Sequence, residues 1–258
     1  MSLTIAVSDE FLDSLDRLPS GPQKKVRDFI KKFRSDPKSS AINYEKLQGH
    51  RVNQIRTVRI DHRYRAVVMH PDEGDVYVLL WVDDHDQAMD WAKRRSFEVN
   101  PRTGALQVFS VEDVKGAMPA EEKSPKEPGL LDRLDDDVLL SFGVPKILLP
   151  AVRAITKSEG LLSLGKHLPD EVTEALTWLA DGEPPGSVRE AMASPAKGKV
   201  DTTDLAAALR HPDSRRRFIT IQTDEELTSI LDAPLEKWRV LGLSQWKRTS
   251  ADSFSSGH

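Results

Sequence analysis

Three short runs, QIRTVRI (54–60), YRAVVMH (64–70) and VYVLLWV (76–82), carry apolar, β-branched and aromatic residues at strand spacing, with only DHR and PDEGD between them. Connections that short leave no room for crossovers, so the runs are predicted to be adjacent antiparallel strands. The residues before them supply a cover. LTIAVS (3–8) reads as a further strand, and DEFLDSLDRLP sets Phe11, Leu12, Leu15 and Leu18 at helical period until Pro19. Ser20 is expected to cap a second helix over 22–37, in which Val26, Phe29, Ile30 and Phe33 form one apolar stripe. The order strand, helix, helix, strand, strand, strand predicts an α+β module: an antiparallel sheet with two amino-terminal helices on one face. DQAMDWAKRR (86–95) predicts a third helix, and SFEVNPRTGALQVFSV (96–111) a hairpin around Asn-Pro-Arg-Thr-Gly.

A change of composition then sets the boundaries. PAEEKSPKEPG (119–129) has three prolines and five charged residues without apolar period, the mark of a tether. The expected organisation is an α+β domain at 1–112, a charged linker at 113–130, a mostly α-helical hairpin region at 131–193, a small α/β segment at 200–248 and a disordered tail at 249–258. LLSFG (139–143) and LLSLG (161–165) hint at a degenerate helical repeat. GLLSLGKH (160–167) has the glycine and lysine spacing of a phosphate loop, but His167 stands where a magnesium-binding Ser or Thr belongs and no strand precedes it, which argues against nucleotide binding. The turn at Gly143 resembles that of helix-hairpin-helix modules, whose backbone amides meet DNA phosphate.

The chain has no cysteine, which removes thiol nucleophiles, thiolate metal sites and disulfides. Its seven histidines are scattered without metal-ligand spacing, so neither a metal nor a cofactor is expected. No apolar run approaches 18 residues, no membrane contact is expected, and the reading is a cytoplasmic protein.

Charge is the informative property. The net charge of −4 conceals a strong dipole: thirteen Lys and Arg lie between Lys24 and Arg65 against four carboxylates, and seven carboxylates lie between Asp72 and Asp90 with no Lys or Arg. Polar slots of the first two strands of the meander are filled by arginine, which suits bidentate phosphate contact. Lys24, Lys25, Lys31, Arg56, Arg59, Arg63, Tyr64 and Arg65 are therefore the expected nucleic-acid-binding residues, with an acidic protein as the other partner such a surface fits.

The element order in 3–95, KLQG before the basic strand, RTVRIDHRYRAVV, and a later strand ending near a histidine resemble the RelE/ParE toxin superfamily. The resemblance implies a site in which Arg59 and Arg65 hold the scissile phosphate, Tyr64 stands beside it, and His85 transfers a proton; Arg59, Arg65 and His85 are the catalytic candidates. Ribosome-dependent members cut messenger RNA by positioning and charge stabilisation. Thr57 departs from the family where many active members carry a basic residue, and Asp83, Asp84 and Asp86 oppose a phosphate near His85. The layout from about 3 to 240, with LLSFGVPKILLPAVRAI, LPDEVTEALTWLADG and LDAPLEKWR, also resembles the region ahead of the ATPase core in certain UvrD/Rep-type helicases. The expectation is a non-catalytic or weakly active nucleic-acid-associated module, a shortened or isolated amino-terminal region of such a helicase. The alternatives are a messenger-RNA endonuclease paired with an antitoxin, and a structural adaptor docking on a helicase core or an acidic partner.

Overall fold

A computed structural model describes residues 3–47, 54–70, 75–110, 128–192 and 200–232. Most of the expected linker and all of the expected tail lie outside the described residues. The chain is α+β and divides into two units, one within 1–93 and 214–258, the other within 94–213. No helix among the described residues is long and apolar enough to cross a membrane.

The first unit opens with β1 (Thr4–Ser8), α1 (Asp9–Arg17) and α2 (Ser20–Ser35). Ser8 caps α1 by accepting from the Phe11 amide at 3.0 Å, with Asp9 and Glu10 favourably placed in the first turn. Ser20 does not cap α2 as expected: it is the first helical residue, and the preceding Pro19 offers no side-chain acceptor. Gln23 binds the end of α1 instead, its Nε2 donating to the carbonyls of Asp16 and Leu18 at 3.0 and 2.8 Å. Next come β2 (Tyr44–Lys46), β3 (Ile55–Arg59), β4 (Tyr64–Met69), β5 (Val76–Asp84) and α3 (His85–Arg94). The pairs β2–β3, β3–β4 and β4–β5 are antiparallel, but β5 pairs with β1 in parallel, so the sheet is mixed rather than antiparallel. The helical excursion through α1 and α2 separates β1 from the meander and allows β1 and β5 to run the same way. The helix stripe packs on Ile5, Val7, Val58, Ala66, Val68 and Leu79 to form the core.

One irregularity fixes the orientation of the site. Val67 faces Trp81 and Val68 faces Leu79, leaving Leu80 as a bulge in β5. Two serines, one capping α1 and one within it, serve the backbone groups around it: Ser8 Oγ donates to the Leu80 carbonyl at 2.9 Å, and Ser14 Oγ accepts from the Val82 amide at 3.0 Å. The slip turns Val82 toward the helices and puts Asp83 in register with Arg65.

The second unit begins with the hairpin β6 (Arg95–Val99) and β7 (Leu106–Ser110). Its turn is held by Asn100, whose Oδ1 accepts from the amides of Arg102 and Thr103, with Gly104 at φ 83°. Helices α4 (Asp136–Ser141), α5 (Leu149–Arg153), α6 (Ser158–Gly165), α7 (Asp170–Ala180), α8 (Pro185–Ala191) and α9 (Leu205–Arg210) follow, with a 3-10 turn at Lys146–Leu148. Leu139, Leu148, Leu164, Val172, Leu176 and Val188 are among its core residues. The two similar pentapeptides adopt different structures: LLSFG ends α4 in a turn with Gly143 at φ 89°, whereas LLSLG is the last part of α6. Helical geometry through Gly165 also leaves no phosphate loop at 160–165.

The chain then returns to the first unit through α10 (Pro212–Arg215), β8 (Phe218–Ile221) and α11 (Asp224–Asp232). β8 pairs antiparallel with β1 over Ile5 to Ser8, completing a six-stranded sheet in the order β2-β3-β4-β5-β1-β8. Thr223 and Glu226 form a capping box at the start of α11, and Leu227, Ile230 and Leu231 enter the first core. This differs from the expected division, which placed 200–248 in a segment of its own and the 96–111 hairpin with the first domain.

Candidate nucleic-acid interface

The expected site residues come from three places in the first unit: α2, the β3–β4 hairpin, and the corner where β5 enters α3. Asp61 organises the hairpin. Its Oδ1 accepts from the amides of Arg63 and Tyr64 at 2.8 and 2.9 Å, and its Oδ2 receives Lys25 Nζ at 2.7 Å. Burial would raise the Asp61 carboxyl; the hydrogen bond from Lys25 and the amides of Tyr64 and Arg63 outweigh it and hold the group well below the usual carboxylate range. The turn is thereby pinned to the amino-terminal half of α2.

The three catalytic candidates are gathered at this end of the sheet. Arg59 on β3 lies directly opposite Arg65 on β4, and the His85 amide donates to the Arg63 carbonyl at 2.8 Å. Their functional groups are otherwise committed. Arg65 is only 5% exposed, and its Nη1 donates to the carbonyls of Asp61 and Tyr64 at 2.9 and 3.1 Å. That corrects the expectation of a phosphate-facing Arg65: both faces of β4 are buried, Tyr64 included, so an arginine in a polar slot is enclosed rather than solvated. Tyr64 is packed in the core beneath the helices, with Arg63 over its ring at 5.5 Å. His85 is exposed, with Nδ1 2.9 Å from the Asp86 carboxylate. Thr57 is fully enclosed between Glu45 and Val67 in the strand register.

Carboxylates from the acidic half of the dipole, from β2 and from the start of α11 answer much of the basic half. Lys38 meets Asp75 at 2.6 Å, Arg59 meets Glu45 at 3.2 Å, Arg63 reaches Asp84 at 4.0 Å, and Arg34 pairs with Asp224. Arg56 folds back on its own strand, Nη1 donating to the Ile55 carbonyl at 3.0 Å. Lys24, Lys31 and Lys32 differ. All three are exposed on α2 and have no ion-pair or hydrogen-bond partner among the described residues.

Helical geometry distributes these lysines. Lys25 and Lys32, seven residues apart, line an open cleft of about 470 Å³ between α2 and the end of β3, whose wall includes Phe29, Ile42, Arg59 and Ile60. Lys31, on the other flank, lines a second cleft of about 540 Å³ bordered by Ile5, Ile221 and Leu227. These exposed lysines therefore lie on the crest and two flanks of one helix, not on the arginine face of the strands. Sequence reasoning gave Lys32 no site role, although its seven-residue spacing from Lys25 was a readable signal. Glu45 was equally hidden, because β2 is too short to show a period.

The Gly143 turn offers no phosphate contact. Its carbonyl accepts from Asn100 Nδ2 and Gln107 Nε2 at 3.2 and 2.9 Å, and its amide donates to Leu140, which spends the turn on structure. No protein-family model, no curated protein and no solved structure matches the chain.

Proposed function

We propose that the first unit is a non-catalytic, RelE-like module that associates with nucleic acid through the exposed lysine face of α2, and that it derives from the amino-terminal part of a UvrD-type helicase. The observation that carries this reading is the contrast between Arg65, enclosed and bound to carbonyls, and Lys24, Lys31 and Lys32, exposed and without an ion-pair partner among the described residues, although Asp28 and Asp36 share a cleft with Lys32. Phosphate attraction needs accessible cations, which α2 supplies. Strand scission needs a cation, a base and an acid converging on one phosphate. Here the Arg65 guanidinium is sequestered, and His85, the proton-transfer candidate, is flanked by Asp84 and Asp86. The helicase origin rests on the sequence layout alone.

A second reading, an adaptor for another protein, is favoured by Ile147, Leu162 and Trp178, large apolar residues exposed on the helical unit, Leu162 by 66%. The endonuclease reading is tested by mapping messenger-RNA ends in a bacterial host expressing the chain. The expected outcome is no new ends; codon-register cuts that vanish with Arg59→Ala or His85→Ala but persist with Lys157→Ala, an exposed lysine of the second unit, establish the toxin instead.

A further inference from the structure

The six-stranded sheet ends in two edges of different character. At one, β2 is three residues long and closes with the exposed Lys46, a charge that discourages a further strand. At the other, β8 reads Phe-Ile-Thr-Ile, all strand formers, with no lysine, proline or bulge. The register shows which of its backbone groups are committed. The Asp9 amide donates to the Arg217 carbonyl at 2.8 Å, so Arg217, Ile219 and Ile221 turn their peptide groups toward β1, and Phe218, Thr220 and Gln222 turn theirs outward. Gln222 is served: its amide donates to Glu226 Oε2 and its carbonyl accepts from Arg34 Nη2, both at 2.7 Å. Phe218 is enclosed. Thr220 is partly exposed, and its amide and carbonyl have no hydrogen-bond partner among the described residues.

Charge along this stretch runs one way. Arg215, Arg216 and Arg217 precede the strand, and Asp224, Glu225 and Glu226 follow it. Asp224 pairs with Arg34, and Glu226 caps α11, but the partly exposed Arg215 and the exposed Glu225 have no ion-pair partner among the described residues. A strand with a basic start and an acidic end is complementary to itself when two copies run antiparallel; a parallel approach sets like charges together. A two-fold axis beside Thr220 lets the Thr220 amide of each copy donate to the Thr220 carbonyl of the other, and sets Ile219 opposite Ile221. The same register brings the end of α10 beside the start of α11 of the second copy, with Arg215 across from Glu225 and Arg216 across from Asp224. Ile219, only partly buried against the first core, is covered in the process.

We propose that the β8 edge is a self-association surface, through which two copies of this chain join antiparallel around Thr220, held in register by Arg215–Glu225 pairs, so that two six-stranded sheets become one. The partner is a second copy rather than a foreign peptide because both halves of the charge pattern lie in this chain. The inference stands apart from the nucleic-acid reading. The contact is small and charge-led, so the dimer is weak and loosens with salt.

Sedimentation velocity on the full chain, from about 1 µM to about 1 mM, reads the association. The parent passes reversibly from monomer to dimer over that range. Arg215→Glu and Glu225→Lys each raise the dissociation constant about tenfold or more, and an equal mixture of the two restores association, because each variant supplies the charge the other lacks. Hydrogen exchange of the Thr220 amide slows as the parent concentration rises. Thr220→Pro keeps the parent melting temperature, since the lost N–H bonds nothing within the chain, yet stays monomeric; Ile219→Pro, whose N–H faces β1, lowers that temperature. The charge variants change only groups at the surface and decide the matter even if Thr220→Pro does not fold. A parent that is monomeric at about 1 mM, a dimer in which Thr220 exchange is unchanged, or a mixture that fails to restore association overturns the proposal.

Discussion

Replacing Asp61 separates what holds the β3–β4 turn from what decorates it. Asp61→Ala removes the acceptor for two backbone amides together with the Lys25 pair. A hydrogen bond to a charged acceptor is worth about 1.5–3 kcal/mol, and water recovers part of each here because the side chain is 14% exposed, so the loss should be about 3 kcal/mol. Asp61→Asn keeps a neutral oxygen for both amides and loses only charge assistance and an ion pair whose lysine is mostly solvated, a contact worth below about 1 kcal/mol. Its cost should be about 1 kcal/mol. Denaturant titration followed by Trp81 and Trp91 fluorescence reads the difference, with m unchanged. The pH dependence gives a second check. Because the folded carboxyl is held below its unfolded value, its stabilisation is complete above the unfolded pKa of about 3.9 and fades as pH falls below that. The gap between the parent and Asp61→Asn should therefore narrow between about pH 5 and pH 2. Equal costs for Asn and Ala, or a gap that widens in acid, refute the turn as an amide-accepting device.

Three further outcomes follow from the packing. Ser14→Ala leaves the buried Val82 amide at the β5 bulge without its acceptor and should cost about 1–3 kcal/mol by denaturant titration, whereas Ser14→Thr should be milder. Gly143→Ala puts a Cβ at φ 89° and 3.1 Å from Gln107 Nε2; it should cost about 1–3 kcal/mol and loosen hydrogen exchange in β7. A fragment of residues 1–112 should fold poorly, because it lacks β8 and the α11 leucines that complete the first core; Leu227→Ala in the full chain should cost about 2–5 kcal/mol, and a stable, monomeric 1–112 fragment contradicts that packing.

Much of the first unit was readable because its signals are local. The α1 and α2 stripes and the three meander runs each carry their own period, and the elements formed within a residue or two of the expected bounds. What escaped was non-local. Tyr44–Lys46 is a strand only because β3 pairs with it, and Phe218–Ile221, legible as a strand, gave no sign that it completes a sheet begun more than two hundred residues earlier. The bulge at Leu80 was invisible in VYVLLWV, where both faces are apolar and a slipped register leaves the same letters. Arg65 illustrates a further limit. Strand period tells which face a side chain shares with its neighbours, not whether that face meets water. Hence arginine could be read as filling polar slots of β3 and β4, while the burial of Arg65 was beyond the pattern.

The most direct test of the account is the salt dependence of binding to single-stranded RNA by the parent chain and by Lys24→Gln/Lys31→Gln/Lys32→Gln. Each phosphate contact on a single strand contributes about 0.7 to the slope of log affinity against log salt. The parent should show a slope of about −2, and the triple variant should lose nearly all of it together with most of its affinity at low salt. A parent slope near zero, or a slope that the triple variant retains in full, contradicts a phosphate-binding face on α2.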